Sequence, residues 1–228
     1  MEIKPIAHFE SPFTSKFGIP RQSGLVPSLT GRIVFTPEYR QTDAVRGLDD
    51  FDYLWLVWEF SANRDAQKSL TVRPPRLGGN QRMGVFATRS PFRPNNLGLS
   101  CVRLDRVEYD AKLGPVIYVR GADLMNGTPI YDIKPYVAYA DAHPEARSGF
   151  VDKTEWQPLQ VELPDHLAVK IPKDQVASLI ATLEQDPRPR YHDDPDRIYG
   201  MPFLGQDIRF KVSNGILTVV SISNLNRT

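Results

Sequence analysis

The sequence predicts a mainly β protein, with short strands over the first two-thirds of the chain and a small α+β appendage after them. Three observations carry this. Apolar runs rich in Val, Ile, Phe, Tyr and Trp recur between Pro, Gly and Asn turns, the spacing of a barrel or sandwich. The segment Ala138–Gln157 is polar, with small residues and prolines, and reads as a linker. Beyond it, one stretch of helical periodicity sits among further strand-like runs.

In chain order, Gly31–Phe35, Tyr53–Phe60, Met83–Thr88, Leu99–Tyr109 and Val116–Gly121 read as strands, and Asp43–Leu48 as a short helical turn. Leu54–Phe60 is apolar nearly throughout, as in a strand covered on both faces. Alternation in Leu99–Val107 is imperfect: Leu99, Cys101, Arg103, Asp105 and Val107 form one set, Ser100, Val102, Leu104 and Arg106 the other. Past the linker, Leu159–Leu163 reads as a strand. Lys173–Gln185 reads as an amphipathic helix, with Val176, Leu179, Ile180 and Leu183 at helical spacing and Asp174 near its start. Ile208–Val212 and Leu217–Ile222 flank Asn214-Gly215, a hairpin signal. The organisation expected is a domain over 1–140, a linker over 141–158 and a domain over 159–228.

Whole-chain numbers exclude several classes. The 228 residues suit one large or two small domains. A net charge of +1 is not that of a generally basic nucleic-acid binder, so such affinity requires a local patch. The single cysteine, Cys101, rules out an internal disulfide framework and reads as a packed strand residue rather than a nucleophile. His8, His143, His166 and His192 lack metal-ligand spacing, so no metal is expected. No G-x-G-x-x-G follows a strand, and Walker and serine-elbow motifs are missing. Ser90 between Arg89 and Pro91 reads as a turn hydroxyl. No apolar run approaches a membrane span and no signal peptide is read, so a cytoplasmic protein is expected.

The local patch exists. Thr71–Ser100 holds five arginines (Arg73, Arg76, Arg82, Arg89, Arg93) and no acid, crowded with Pro, Gly and Asn. Guanidinium groups fork onto phosphate and carboxylate, and glycine lets backbone N–H groups approach a ligand. The segment reads as an anion site.

Four blocks in one order carry a family resemblance: PRQSGLV (Pro20–Val26), DAVRGLDDFDYLWLVWEF (Asp43–Phe60), RPPRLGG…MGVFATRSPFRPNNLGLS (Arg73–Ser100) and DLMNGTPIYDIKPY (Asp123–Tyr136). Together they resemble the TrmO, or TsaA-like, family of tRNA methyltransferases, densely over residues 5–140 and more thinly through Gln185–Tyr191 into the appendage. The resemblance implies a β-barrel that uses S-adenosylmethionine and works as a homodimer. It also implies methyl transfer to N6 of threonylcarbamoyl-adenosine beside the anticodon of a threonine tRNA.

The resemblance assigns residues one by one. Pro20, Arg21 and Gln22 match the family's cofactor-contacting PRQ, Arg89 the arginine of ATRS, and Leu99 a leucine that packs the cofactor. Asp123, Leu124, Gly127 and Thr128 match its DLxDGTP turn; without the resemblance, Asn126-Gly127 is a turn signal alone. Two departures touch the cofactor site. Asn126 stands where the family commonly has Asp, and Ser61-Ala62 where it often has His-Gln. They are the grounds for an alternative, a non-catalytic cofactor- or RNA-binding regulator on the same barrel.

For chemistry, Arg93 and Asn95 are candidates to grip the threonyl carboxylate or a phosphate. Asp132 is either a proton acceptor or the salt-bridge partner of Lys134 or an arginine. Tyr131 and Tyr136 either stack on a base or pack a core. Arg73, Arg76 and Arg82 are candidate RNA contacts. In the loop DPRPRYHDDPDR, Arg188, Arg190 and Tyr191 either touch the anticodon stem, complete the site, or belong to a solvated loop.

Overall fold

The structure is a computed structural model and describes residues 2–63, 69–188 and 194–225. Among the described residues twelve strands form: β1 (Ala7–Glu10), β2 (Thr30–Phe35), β3 (Tyr53–Glu59), β4 (Thr71–Val72), β5 (Met83–Gly84), β6 (Leu97–Asp110), β7 (Gly114–Arg120), β8 (Thr128–Pro135), β9 (Gln160–Glu162), β10 (Tyr199–Phe203), β11 (Gln206–Ser213) and β12 (Ile216–Asn224). The α-helices α1 (Ala138–Asp141), α2 (Asp165–Ala168) and α3 (Val176–Glu184) join them.

Six strands close into a barrel in the order β1-β2-β7-β6-β3-β8. Closure removes the exposed sheet edges that an open sheet would present. Every second residue points inward: Leu54, Leu56 and Trp58 on β3, and Gly98, Ser100, Val102 and Leu104 on β6. The imperfect alternation in the sequence has a physical cause. The β6–β7 register shifts between Leu104 and Arg106, so Asp105 is a bulge. Beyond it the parity inverts, and Val107 faces Ile117 and packs on the core.

Four expectations need correction. Met83–Thr88 is not one strand: only Met83–Gly84 pairs, with Thr71–Val72, and Val85–Ala87 winds into a 3-10 turn that buries Val85. β3 is not covered on both faces, because its outward side chains Tyr53, Trp55 and Val57 keep partial exposure. Trp55 is sheltered by Tyr136 and donates its indole N–H to Asp141 Oδ2 at 3.1 Å. Cys101 sits on a strand as expected but on the outer face, opposite Trp55, and partial burial pushes its thiol up. The helix over 173–185 splits into a 3-10 turn (Lys173–Gln175) and α3. Strands β1, β4, β8 and β10 carry no sequence expectation; β8 begins where the turn read at Asp123–Thr128 ends.

The appendage is a sheet in the order β10-β11-β12-β9, with β9 parallel to β12. Asn214 and Gly215 both take positive φ, which fits the hairpin turn joining β11 to β12. Leu179 and Leu183 of α3 pack on Met201, Phe203, Phe210 and Leu217. Phe13, Val26 and Leu29, from the loop between β1 and β2, belong to this same core rather than to the barrel's. Phe13 meets Phe203 edge-on at 5.7 Å, and Ser178 Oγ donates to the Ser28 carbonyl at 3.1 Å. The two halves therefore share one loop.

Candidate functional site

That shared loop carries Pro20–Gln22, and it is held from three sides. Gly24 donates to the Gly121 carbonyl, and Gly121 to the Leu29 carbonyl, both at 2.8 Å. Arg21 Nη2 donates to the Asp186 carbonyl at 3.2 Å, tying the loop to the end of α3. Arg89 Nη1 donates to Gln22 Oε1 at 2.5 Å. Pro20 is buried, Gln22 half-buried, and Arg21 and Arg89 exposed. Residues distant in sequence thus converge at the barrel rim.

Asp123 lies beneath. Ser100 Oγ donates to Asp123 Oδ1 at 2.5 Å, and Trp58 Nε1 donates to Ser100 Oγ at 2.9 Å. Burial pushes the Asp123 carboxyl above the usual range, although hydrogen bonds from Ser100 and the Ser23 N–H, and the charge of Arg89, pull the other way. The 123–128 turn docks on β1 and the loop after it: the Gly127 N–H donates to the Phe9 carbonyl at 2.7 Å and the Asn126 N–H to the Phe13 carbonyl at 2.8 Å. Asn126 Oδ1 accepts the Ser11 N–H at 3.2 Å, so this residue keeps an acceptor's structural task without the family's charge. Gly127 takes φ +79, which a side chain resists. Thr128 is buried, and Leu124 points into the barrel core.

The remaining assignments scatter. Leu99 is 56% exposed on the outer face, paired with Val57. Ser61 and Ala62 form a 3-10 turn just past β3. Arg93 Nη1 donates to the carbonyls of Thr88 (3.0 Å) and Ser90 (3.5 Å), bracing its own turn, and Asn95 is exposed beside it. Asp132 forms the salt bridge to Lys134, at 3.0 Å, that sequence offered as the alternative to proton acceptance. Tyr131 donates to Glu59 Oε2 at 2.7 Å, in the bulge where the β3–β8 register shifts. Tyr136 packs against Tyr53 and Trp55.

Arg73 and Arg82 are exposed and Arg76 half-buried; none of the three is ion-paired to a described residue. Arg188 is engaged within the chain. Its guanidinium forks onto Asp186 Oδ1 and Oδ2 at 2.9 and 3.0 Å, with 15% of the side chain exposed, so it stiffens the turn that receives Arg21. Arg190 and Tyr191 lie outside the described residues. Sequence reasoning missed Trp58 and Ser100; the only signal was a serine amid the inward-facing residues of an apolar strand. Among the described residues, no group of three or more His, Cys, Asp or Glu could hold a metal ion. No described helix is long and apolar enough to cross a membrane.

The closed barrel and the appended sheet place the chain among the β-barrel tRNA methyltransferases that use S-adenosylmethionine. The description "tRNA-methyltransferase O N-terminal domain" matches residues 8–142, and "TrmO C-terminal domain" matches 156–225. The chain belongs to the TrmO family. It is 36% identical over 229 residues to the tRNA (adenine(37)-N6)-methyltransferase of Escherichia coli, covering 97% of each chain. It is 40% identical over 216 residues to a putative S-adenosylmethionine-dependent methyltransferase of Pseudomonas aeruginosa, covering 91% of each. A crystal structure of TrmO from P. aeruginosa superposes with a TM-score of 0.79 at 33% identity, covering 99% of this chain and 97% of that one.

Proposed function

We propose that the chain methylates N6 of threonylcarbamoyl-adenosine next to the anticodon of a threonine tRNA. Methylation of tRNA at N6 of adenine 37 is the activity named for two of its relatives, and dependence on S-adenosylmethionine is named for a third. The observation that carries the reading is the convergence of Gln22, Arg89 and Asp123 at the rim, from three separate segments. The donor set fits the cofactor, which presents an ammonium, a carboxylate and ribose hydroxyls to an acid, a guanidinium and an amide. Asp123 would take donor groups, Arg89 an acceptor, and Gln22 either. When bound, S-adenosylmethionine supplies a methyl already activated on a sulfonium.

The residues then have to orient rather than to ionise. Arg93 uses Nη1 on its own loop; its Nε and Nη2 edge makes no hydrogen bond to a described residue and suits the free carboxylate of the threonyl group. Asn95, exposed next to it, offers an amide to the same group. Arg73, Arg76 and Arg82 supply the phosphate contacts that give affinity without sequence reading. A base splayed from the anticodon loop would be fixed by stacking and edge contacts. On the outer face Leu99 is 56% exposed opposite Val57, an apolar spot that supports a homodimer. A cytoplasmic location follows from the substrate.

The test is transfer of labelled methyl from S-adenosylmethionine to tRNA. It compares modified tRNA from cells lacking the protein with an unmodified transcript. Label entering only the modified pool supports the reading. Label entering neither, with cofactor binding intact, overturns it.

A further inference from the structure

Asp123 reaches the rim through a chain of hydrogen bonds that begins inside the barrel. The Trp58 indole is buried, and it lies directly over Gly98 on the neighbouring strand. A Cβ on Gly98 would fall 2.3 Å from Trp58 Cε2, so only glycine admits the ring there. Thus placed, Trp58 Nε1 meets Ser100 Oγ at 2.9 Å. Ser100, 1% exposed, has one hydroxyl proton, and it goes to Asp123 Oδ1 at 2.5 Å. The hydroxyl thus accepts from Trp58 and donates to Asp123, which leaves it a single orientation. A buried, fully satisfied chain of this kind fixes geometry more firmly than an isolated contact.

We propose that Trp58 and Ser100 are positioning residues for cofactor binding. Their chain holds the Asp123 carboxylate beneath the Pro20–Ser23 turn, aimed at the hydrogen-bond donors of the bound cofactor. The inference rests on the cofactor assignment above. Asp123 faces the Ser100 hydroxyl from β6, the Ser23 N–H from the shared loop and the positive charge of Arg89 from the arginine loop. Burial favours the neutral acid, and each of these three favours the anion. Removing the Ser100 hydroxyl strips one support from the charged form. The acid would then take its proton at higher pH, and the cofactor would meet a neutral, mobile group.

The experiment uses the full chain and S-adenosylhomocysteine as probe, with calorimetric titrations between pH 5 and 8 on wild type, Ser100→Ala, Ser100→Thr and Trp58→Phe. Losing a hydrogen bond to a charged group predicts about tenfold weaker binding for Ser100→Ala. The pH at which affinity begins to fall should also rise. Ser100→Thr, which keeps the hydroxyl, should stay within about threefold of wild type, and Trp58→Phe should lie between the two. A thermal melt confirms that each variant folds, and a carbon-13 titration of the Asp123 carboxyl reads the chain without any ligand. Wild-type affinity and pH profile in Ser100→Ala overturn the proposal. So does weaker binding with an unmoved profile, because it marks a packing defect alone. If wild type itself binds no S-adenosylhomocysteine, the cofactor assignment fails, while the carboxyl titration still decides whether Ser100 controls Asp123.

Discussion

Arg89 and Gln22 stand 67 positions apart in sequence, and the guanidinium of one donates to the side-chain carbonyl of the other at 2.5 Å. This contact joins the arginine-rich loop to the loop that the barrel and the appendage share. Each loop is irregular, so neither holds its shape without such ties. Arg89→Ala and Gln22→Ala should each weaken S-adenosylhomocysteine binding by about tenfold, the worth of a charge-assisted hydrogen bond. The double variant should lose less than the product of the two, because the second change removes a partner already lost. Calorimetry on the four proteins measures the coupling; strict additivity would mean the contact is incidental.

Gly98→Ala tests the seat of Trp58. The added methyl meets the indole at 2.3 Å, and backbone on a central barrel strand yields little. A destabilisation of about 1–3 kcal/mol is expected in urea unfolding, as for overpacked cores. Indole fluorescence should also change as the Trp58 ring is displaced.

Asp123→Asn should separate stability from binding. Burial raises the folded-state pKa of Asp123, so its share of stability is present at low pH and lost as pH rises through that raised value. Asn is uncharged and still accepts from Ser100. The variant should therefore melt at a higher temperature than wild type at pH 8 and lose that advantage towards pH 4. Cofactor affinity at pH 8 should fall. Identical melting of the two proteins across that range would show that the carboxylate carries no burden in the fold.

Salt dependence addresses Arg73, Arg76 and Arg82. If each neutralises a tRNA phosphate, each change to Ala should lower the slope of log affinity against log salt by about 0.7–0.9. Cofactor binding should be untouched. Unchanged slopes in all three variants would move the RNA surface elsewhere on the molecule.

Removal of residues 156–228 should damage more than the appendage. Phe13, Val26 and Leu29 lose the core they are buried in, and Arg21 loses the Asp186 carbonyl. The truncated chain should bind S-adenosylhomocysteine far more weakly and bind hydrophobic dyes. Retention of wild-type cofactor affinity would show that the barrel alone organises the Pro20–Gln22 turn.

Much of the fold was legible because β-strands advertise themselves locally. The runs Gly31–Phe35, Tyr53–Phe60 and Val116–Gly121 lie on β2, β3 and β7, and Asn214-Gly215 marks its hairpin by the only chemistry such a turn tolerates cheaply. β1 and β8 were not legible, being short or interrupted by Pro, Asp and Lys, and they exist because closing the barrel demands partners for β2 and β3. The Asp105 bulge hid the inward face of β6, since one extra residue inverts every side chain after it.

The site divides in the same way. Residue types and their order, from Pro20–Gln22 through the acid-free arginine loop to Asp123–Thr128, determined the family and the class of ligand, because the chemistry of anion and cofactor binding is written in side chains. Which groups act together was decided only in three dimensions. Closure of the barrel brings β3 beside β6, so that Trp58 and Ser100 meet, and sets both under Asp123. Packing against α3 and β10 places Arg21 on Asp186 and turns Arg188 from a free cation into a brace. Contacts between residues far apart in the chain leave no local pattern, because their spacing is set by the path of the backbone and not by the period of a helix or strand.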